Sequence, residues 1–372
     1  MTQMRTVTSA WIFCILCILV IAGTFINERW IMLITVGLIV CYIILQFKEI
    51  PIQQKFSGLA LLVIGLIVAN GGDNFREVLV GGIERSQIFL LLFFAIAWLQ
   101  IPVNCSSSLA TVRDAILNQP PGRRFLSLSI GIHILGSLLN VAAIGLMTPL
   151  LKDRGDAVLH RRLCVATMHG FTSASAWSPF YIGMIVVLIA IPTITWSEIA
   201  IQGIAMAIIM ILGSWLFDRL RYPRKEPIRA EKLTSLRANN EFGKTILILT
   251  LLISAVILTL NIADVSIPVA LSLTCPPFGL IWYGIQKRTH KGNDESLVDM
   301  VNRVVGGFAN LRNETLMFVA ANIFGLGIAS TISAENLSNL LNIVAPWMDL
   351  RIILITFVFL ILGFLGLHPI IV

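Results

Sequence analysis

Two apolar stretches of the chain, residues 136–143 (GSLLNVAA) and 172–179 (TSASAWSP), carry hydroxyl and amide side chains. Hydroxyls and unwound carbonyls suit a hard cation such as sodium, whereas bare N–H groups at helix ends suit an anion. Pro179 would help to break a helix, because it has no backbone N–H to donate. The same small residues would equally suit a kink where helices pack closely. The candidate substrate-binding residues are Ser137, Asn140, Thr172, Ser173 and Ser175.

The lack of charged residues around these stretches limits which ions a site there could carry. No Asp, Glu, Lys or Arg occurs in residues 125–151 or 163–193. Carboxylates inside a membrane are the usual relays for protons and cations, so their absence argues against simple cation/proton exchange. Imidazole titrates near neutral pH, although a single membrane histidine also serves as a packing residue. Three histidines are therefore candidate proton carriers: His133, His169 and His368.

The elements that must position these residues are membrane helices. The 372-residue chain is 57% hydrophobic and 13% charged, and stretches of about 20 apolar residues can cross a bilayer. The sequence therefore predicts an all-α polytopic membrane protein, multi-pass in the cell (inner, cytoplasmic) membrane. Spans are expected near residues 9–27, 30–47, 56–70, 86–103, 199–217, 245–262 and 266–285.

Several classes of function are not expected. The net charge of +7 does not indicate nucleic-acid binding, because the basic residues lie in short loops, where they report orientation. No HExxH or GxSxG motif occurs, and the histidines lack the spacing of metal ligands, so we expect neither an enzyme nor a metal site. The expected partners are a small anionic substrate and the lipid bilayer, with no cofactor other than a sodium ion or proton as the coupling ion.

Basic residues orient the chain and reveal one conflict. Arg5 places the N-terminus in the cytoplasm and residues 71–86 outside. If residues 125–151 crossed once, the basic residues of 151–162 would lie outside, against the positive-inside rule. A re-entrant hairpin over 125–151, with its tip near 136–143, keeps these cations inside.

The two halves of the chain resemble each other. Residues 80–109 look like 305–337, and 115–140 look like 340–369. Span 86–103 runs inward and its counterpart 315–331 outward, which predicts an inverted-topology repeat. The second repeat stops where its hairpin tip is expected, so we expect a chain truncated at the C-terminus.

The sequence predicts four segments. They are 1–70, the N-terminal scaffold spans; 71–217, the first repeat with the re-entrant hairpin and a broken helix over 163–193; 218–244, a basic cytoplasmic linker; and 245–372, the incomplete second repeat.

Residues 139–151 (LNVAAIGLMTPLL) and 170–187 (GFTSASAWSPFYIGMIVV) resemble the ion transporter superfamily. This group includes divalent-anion/sodium symporters, citrate carriers, arsenite permeases and sodium/proton antiporters. Asn140 and the Thr148–Pro149 pair match the family's hairpin tip. Val141 stands where the arsenite and sodium/proton members have an acid, and the Ser-Asn-Thr tip of the dicarboxylate symporters reads Leu-Asn-Val here, so neither subgroup's substrate carries over. The resemblance implies cation coupling by Leu139, Asn140, Ala174 and Ser175.

The expected function is a secondary active transporter that moves a small anion, with a carboxylate favoured, coupled to sodium or protons. The resemblance implies an elevator-like movement and a homodimer formed through the scaffold spans. Two alternatives remain open: a cation/proton antiporter of the same fold, and an inactive, truncated membrane protein.

Overall fold

The architecture is that of a helical membrane protein. Within the residues that the computed structural model describes, the chain forms helices and no strands, and eight helices are long and apolar enough to cross a membrane. The expected all-α polytopic architecture is therefore confirmed. The described residues are 2–26, 28–70, 75–111, 121–139, 143–144, 157–191, 193–222, 235–289, 296–331 and 333–364.

Most of the expected spans agree with the helices, and the differences lie at the helix ends.

The chain clusters into two compact units, residues 1–94 with 301–372, and residues 95–300. The longer helices, in chain order, are α1 (Thr2–Ile26), α2 (Arg29–Gln46), α3 (Ile52–Asn70), α4 (Phe75–Cys105), α5 (Pro121–Leu139), α6 (Ala157–Ser175), α7 (Ile182–Ala190), α8 (Trp196–Arg221), α9 (Ser235–Ala263), α10 (Ile267–Thr289), α11 (Leu297–Gly307), α12 (Arg312–Thr331), α13 (Ala334–Val344) and α14 (Met348–Phe364).

Two expected loops prove to be partly helical. Residues 75–86 of the predicted outer loop 71–86 form the start of α4. The predicted linker 218–244 contributes its first residues to α8 and residues 235–244 to α9. Charge patterns predict the side of the membrane on which residues lie, whereas backbone hydrogen bonding can continue a helix beyond the membrane. The predicted side for both segments therefore stays a prediction.

Glycines allow helices of the first unit to cross closely. A Cβ placed on Gly327 of α12 would lie 2.2 Å from the carbonyl oxygen of Gly65 on α3, and one on Gly65 would lie 2.6 Å from the Cα of Phe324. On α4, a Cβ on Gly82 would lie 2.8 Å from the Cα of Ile323. These backbones are therefore in direct contact, an arrangement that only glycine permits.

The interior of the first unit combines aromatic stacking with a few polar bonds. The Tyr42 hydroxyl donates to the Phe308 carbonyl over 2.6 Å, and the Phe13 ring stacks on Phe308 with centroids 5.3 Å apart. Gln87 Nε2 donates to the Thr35 hydroxyl over 2.8 Å. The polar groups of Tyr42, Thr35 and Gln87 thus have partners, as a membrane interior favours.

Within this unit, α4 and α12 run antiparallel. Gly82 meets Ile323, whereas Phe89, farther along α4, stacks on Phe318, which comes earlier in α12, with centroids 4.8 Å apart. These helices contain the spans that the sequence pairs as counterparts of an inverted repeat. Opposite directions are what inversion requires, but antiparallel neighbours are common in helical proteins, so the inverted repeat stays a prediction.

The Gly-Gly pair shared by the two halves does not play the same part in each. Gly82 lies against the backbone of α12, but Gly306 and Gly307 have open space where a side chain would stand. The sequence match at residues 80–87 and 305–312 therefore does not reflect a shared packing role. This motif thus does not support the repeat.

In the second unit, α5 and α6 pack side by side and run parallel. The Ser129 hydroxyl donates to the Ala166 carbonyl over 3.1 Å, and the His133 ring lies beside the Ser173 hydroxyl, at 2.9 Å. Since both contacts advance together along the two helices, α5 and α6 start at the same end of the unit.

Parallel packing has a topological consequence for the chain between the two helices. Leu139, where α5 ends, and Ala157, where α6 begins, lie at opposite ends of the helix pair. A re-entrant hairpin over 125–151 predicts this placement. Its second arm lies outside the described residues, so the hairpin itself stays a prediction.

Helix α8 packs antiparallel to α6 and marks the membrane boundaries. Arg162 of α6 forms two 2.8 Å hydrogen bonds to the carboxylate of Asp218 on α8. Trp196 and Trp215 lie about 28 Å apart along α8 at a rise of about 1.5 Å per residue, which matches the spacing of the aromatic belts of a bilayer. The ion pair therefore lies at the basic end of α8, which the positive-inside rule predicts to be cytoplasmic.

We predict that both parallel helices begin on the cytoplasmic side. In a variant whose native cysteines are replaced, Pro121→Cys and Ala157→Cys should react with a membrane-impermeant maleimide only from the cytoplasmic face. Thr193→Cys, in the turn before α8, is the control and should react only from outside. Labelling of Ala157→Cys from outside would mean that residues 125–151 cross the membrane once.

Candidate functional site

The candidate site is a break between helices α6 and α7. Helix α6 ends at Ser175, residues 176–181 form turns, and α7 begins at Ile182. Short-range bonds shape the loop: Ser178 N donates to the Ala174 carbonyl over 3.0 Å, and Tyr181 N to the Ser178 carbonyl over 3.3 Å. The break falls within the expected range 163–193, but it begins after the hydroxyl-rich segment 172–175, which forms the last turn of α6. That α6 and α7 form one broken membrane helix stays a prediction.

Helix α5 holds the break from one side. The Ser178 hydroxyl donates to the Ser137 carbonyl, and Phe180 N donates to the Ser178 hydroxyl over 3.2 Å. The Tyr181 hydroxyl donates to the Phe171 carbonyl over 3.0 Å. Backbone groups that the broken helix would leave without partners are thus bonded to neighbouring side chains.

Helix α8 holds the break from the other side. The Trp196 indole N–H donates to the Trp177 carbonyl over 2.7 Å. A Cβ placed on Gly203 would lie 2.1 Å from the Ala176 carbonyl oxygen, so α8 contacts the loop backbone directly. Gly203 lies about 10 Å along α8 from Trp196, so the break contacts α8 over this length, from the tryptophan toward the middle of the helix.

Gly136 and Ser137 do not lie at an unwound tip. Both are within the helical turns of α5, which is described as helix through Leu139. Gly136 is needed because a Cβ there would come within 3.3 Å of the Phe171 ring and 3.2 Å of the Tyr181 hydroxyl. The sequence interpretation mistook a close-packing glycine for a backbone break, and the tip prediction was wrong for these two residues.

The hydroxyl protons of the candidate residues point to backbone carbonyls. Ser137 donates to the Ile134 carbonyl over 2.8 Å, and Ser173 to the Gly170 carbonyl over 2.8 Å. Ser175 donates to the Thr172 carbonyl over 2.7 Å. A hydroxyl with its proton engaged offers only oxygen lone pairs, so these groups suit a cation better than an anion.

Accessibility separates the candidate residues further. Ser137 is 3% exposed and Ser173 is fully buried, whereas Thr172 is exposed and Ser175 is half-buried. Ala174 is also fully buried, so only its backbone could take part in cation coupling. Thr172 and Ser175 are therefore the described hydroxyl residues that a ligand could reach without rearrangement.

His133 connects α5 to both sides of the break. Its Nδ1 lies 2.9 Å from the Ser173 hydroxyl, and the Trp177 indole N–H donates to its Nε2 over 3.2 Å. The imidazole and indole rings are tilted at 40° with centroids 6.0 Å apart. His133 was predicted as a proton carrier, and the structure places it in the site as a bridge between helix and loop.

The remaining predicted residues divide into two groups. His169 is exposed on α6, and Leu139 is the last described residue of α5. Asn140 and His368 lie outside the described residues, as does the Thr148–Pro149 pair. The Asn140 assignments to substrate and cation, and the His368 assignment, therefore stay predictions.

One feature escaped the sequence interpretation, which is the start of α7. Tyr181 occupies the N-cap position and makes no side-chain capping bond there, so the first-turn N–H groups are not capped by it. Gly183, in this turn, is exposed and has open space where a side chain would stand. The signal was a glycine one turn beyond a proline break, which is too common a pattern to single out.

The electrostatics of the site come from dipoles rather than from ionised groups. The described helices α5, α6 and α7 contain no carboxylate, and their cations lie in the first turns of α5 and α6. In the part of the chain that the structure covers, no group of three or more His, Cys, Asp or Glu side chains could hold a metal ion. The main local fields are thus the partial positive charge of the α7 N-terminus and the partial negative charge of the α6 C-terminus.

Comparisons with known proteins return no relative. No family model, no curated protein and no solved structure matches this chain.

We predict that Gly203 is essential for the closed packing of the break. Gly203→Ala would force its methyl group against the Ala176 carbonyl, with an expected loss of about 1–3 kcal/mol in the free energy of unfolding. Gly213→Ala on the same helix is the matched control, because nothing lies within 4 Å of a Cβ there. Thermal unfolding in detergent, followed by tryptophan fluorescence, measures both; equal melting temperatures would contradict this packing.

Proposed function

We propose that this protein is a secondary active transporter that moves a small anion across the cell membrane, coupled to a cation. The observation that carries the proposal is the break between α6 and α7. It brings together an uncapped helix N-terminus, hydroxyl oxygens with free lone pairs and no charged side chain. Discontinuous helices of this kind form the substrate and ion sites of many secondary transporters.

The anion would bind at the start of α7. First-turn N–H groups point along the helix axis toward an approaching ligand, and the helix dipole favours negative charge there. Gly183 leaves room for a carboxylate to approach the backbone, because it has no side chain over this turn. A small carboxylate fits best, since it can accept two N–H bonds at once without needing a charged partner.

The coupling cation would bind on the opposite side of the break, at the end of α6. Ser175 and Thr172 are reachable there, and the Ser175 hydroxyl keeps its lone pairs free because its proton goes to the Thr172 carbonyl. Oxygen ligands of this kind suit sodium better than a proton. Leu139, Asn140 and Ala174 would complete the ligand set through groups predicted from the family resemblance.

Helix directions within each unit fit the architecture of such transporters. Parallel packing of α5 and α6 meets the topological need of a re-entrant hairpin, and the antiparallel pair α4 and α12 meets that of an inverted repeat. An elevator-like movement, a homodimer and location in the inner membrane belong to this proposal. A cation/proton antiporter of the same fold is less well supported, since the described part of the site lacks a carboxylate to carry protons.

Uptake by reconstituted protein tests the proposal. Purified chain in liposomes should accumulate a radiolabelled di- or tricarboxylate when sodium is higher outside, and collapse of the sodium gradient by an ionophore should stop the uptake. A pH gradient without sodium distinguishes proton coupling. Absence of gradient-dependent uptake across the whole carboxylate panel would contradict the proposed function.

The α7 assignment has its own test. Gly183→Leu should raise the KM for the transported anion about tenfold, a loss of ~1.4 kcal/mol, because the new side chain covers the N–H groups of the first turn. Gly213→Leu is the matched control, since position 213 also has open space but lies away from the break. An unchanged KM in Gly183→Leu would place the anion elsewhere.

A further inference from the structure

We propose that His133 is a positioning residue, which fixes the end of α6 and the loop after it through a one-way chain of hydrogen bonds. The inference deepens the proposed function, on which it rests for its effect on transport. In place of a proton carrier, it assigns His133 the task of setting the geometry of the break.

The two neighbours of His133 independently require the same tautomer. The Trp177 indole nitrogen can only donate, so His133 Nε2 must carry the lone pair that accepts. Ser173 has a single hydroxyl proton, which it gives to the Gly170 carbonyl over 2.8 Å. His133 Nδ1 must therefore carry the ring proton and donate it to the Ser173 oxygen over 2.9 Å. The imidazole is neutral, with its proton on Nδ1.

The chain of bonds runs in one direction, from Trp177 through His133 and Ser173 to the Gly170 carbonyl. Every donor in this series of hydrogen bonds faces an acceptor, so no two donors and no two acceptors face each other. Such matched networks are stabilising in a low-dielectric interior, whereas a half-satisfied network is costly. A proton added at Nε2 would face the Trp177 N–H, so the ring cannot carry a proton while the chain is intact.

The position of the chain in the fold gives it a role in the site. Ser173 lies in the last turn of α6, and Trp177 lies in the loop, so one rigid ring on α5 fixes both. The Trp177 backbone is also held by Trp196 through its carbonyl. The Ser175 hydroxyl lies between these two fixed points, and Thr172 directly precedes the first. Loss of His133 would therefore loosen the position of both relative to α7.

The first measurement is the tautomer itself, which does not depend on transport. With histidine labelled by 15N at both ring nitrogens, His133 should show a protonated Nδ1 and an unprotonated Nε2 at neutral pH. The signal is assigned by its disappearance in His133→Gln. A proton on Nε2, or a doubly protonated ring at neutral pH, would overturn the inference.

Two isosteric replacements of His133 separate its bond to Ser173 from its bond to Trp177. His133→Asn places an amide near Nδ1 and keeps the donor to Ser173, but it loses the acceptor for Trp177. His133→Gln reaches the level of Nε2 and can accept from Trp177, but it loses Ser173. His169→Gln is the control, because His169 is exposed on the neighbouring helix.

Stability and transport are then read in the same variants. His133→Asn and Trp177→Phe remove the same bond, so the double variant should unfold at nearly the melting temperature of the worse single variant. In transport, each change at residue 133 should raise KM about tenfold with less than a twofold change in maximal rate. Additive stability losses, or an unchanged KM in a transporting protein, would overturn the inference. If the parent protein does not transport, only the proposed function is contradicted. The 15N measurement of the tautomer and the melting temperatures of the single and double variants then still decide the role of His133.

Discussion

The rest of the second unit depends on one constraint, which is that backbone polar groups inside a membrane must find partners within the protein. A continuous helix satisfies them by itself, but the break at 176–181 does not. The exposed carbonyls and amides of the break therefore require neighbours on both sides. The Trp196 indole on α8 donates to the Trp177 carbonyl of the break. The Ser178 hydroxyl accepts from Phe180 N of the break and donates to the Ser137 carbonyl of α5. The positions of α5 and α8 beside α6 allow these bonds.

These bonds form only where the backbones of the loop and the neighbouring helices lie close together, and glycine residues allow this close approach. Hydrogen bonds between a loop and neighbouring helices need backbones a few ångströms closer than ordinary side chains allow. Gly170 brings α6 against the Ser129 carbonyl of α5, where a Cβ would lie 2.3 Å from that oxygen. Gly203 does the same between α8 and the loop. The first unit uses the same device at Gly65 and Gly327, but there it joins unbroken helices and builds a rigid crossing.

The sequence predicted the helical membrane architecture and the existence of the break, because apolar run length and a proline within a hydroxyl-rich segment are local signals. It did not predict where helices begin and end, since charge patterns predict only the side of the membrane, and α4 begins within the expected loop. It also misread Gly136, because a glycine at an unwound tip and a glycine under a neighbouring ring look alike in sequence. The tautomer of His133 could not be predicted, since it depends on Ser173 in a different helix and on Trp177 in the loop.

A site without ionised side chains has a consequence for coupling. An anion moved alone through an apolar barrier would carry an uncompensated charge, and helix dipoles supply only about half a charge at short range. Hydroxyl oxygens at the end of α6 and N–H groups at the start of α7 offer opposite polarity across one short loop. A cation and an anion held there together would cancel each other's charge, and the loaded site would cross at much lower cost than with either ion alone. Under the proposed function, obligatory coupling would then follow from the neutrality of the loaded site. This requires that the end of α6 and the start of α7 stay in a fixed geometry. The hydrogen bonds of His133 perform this task.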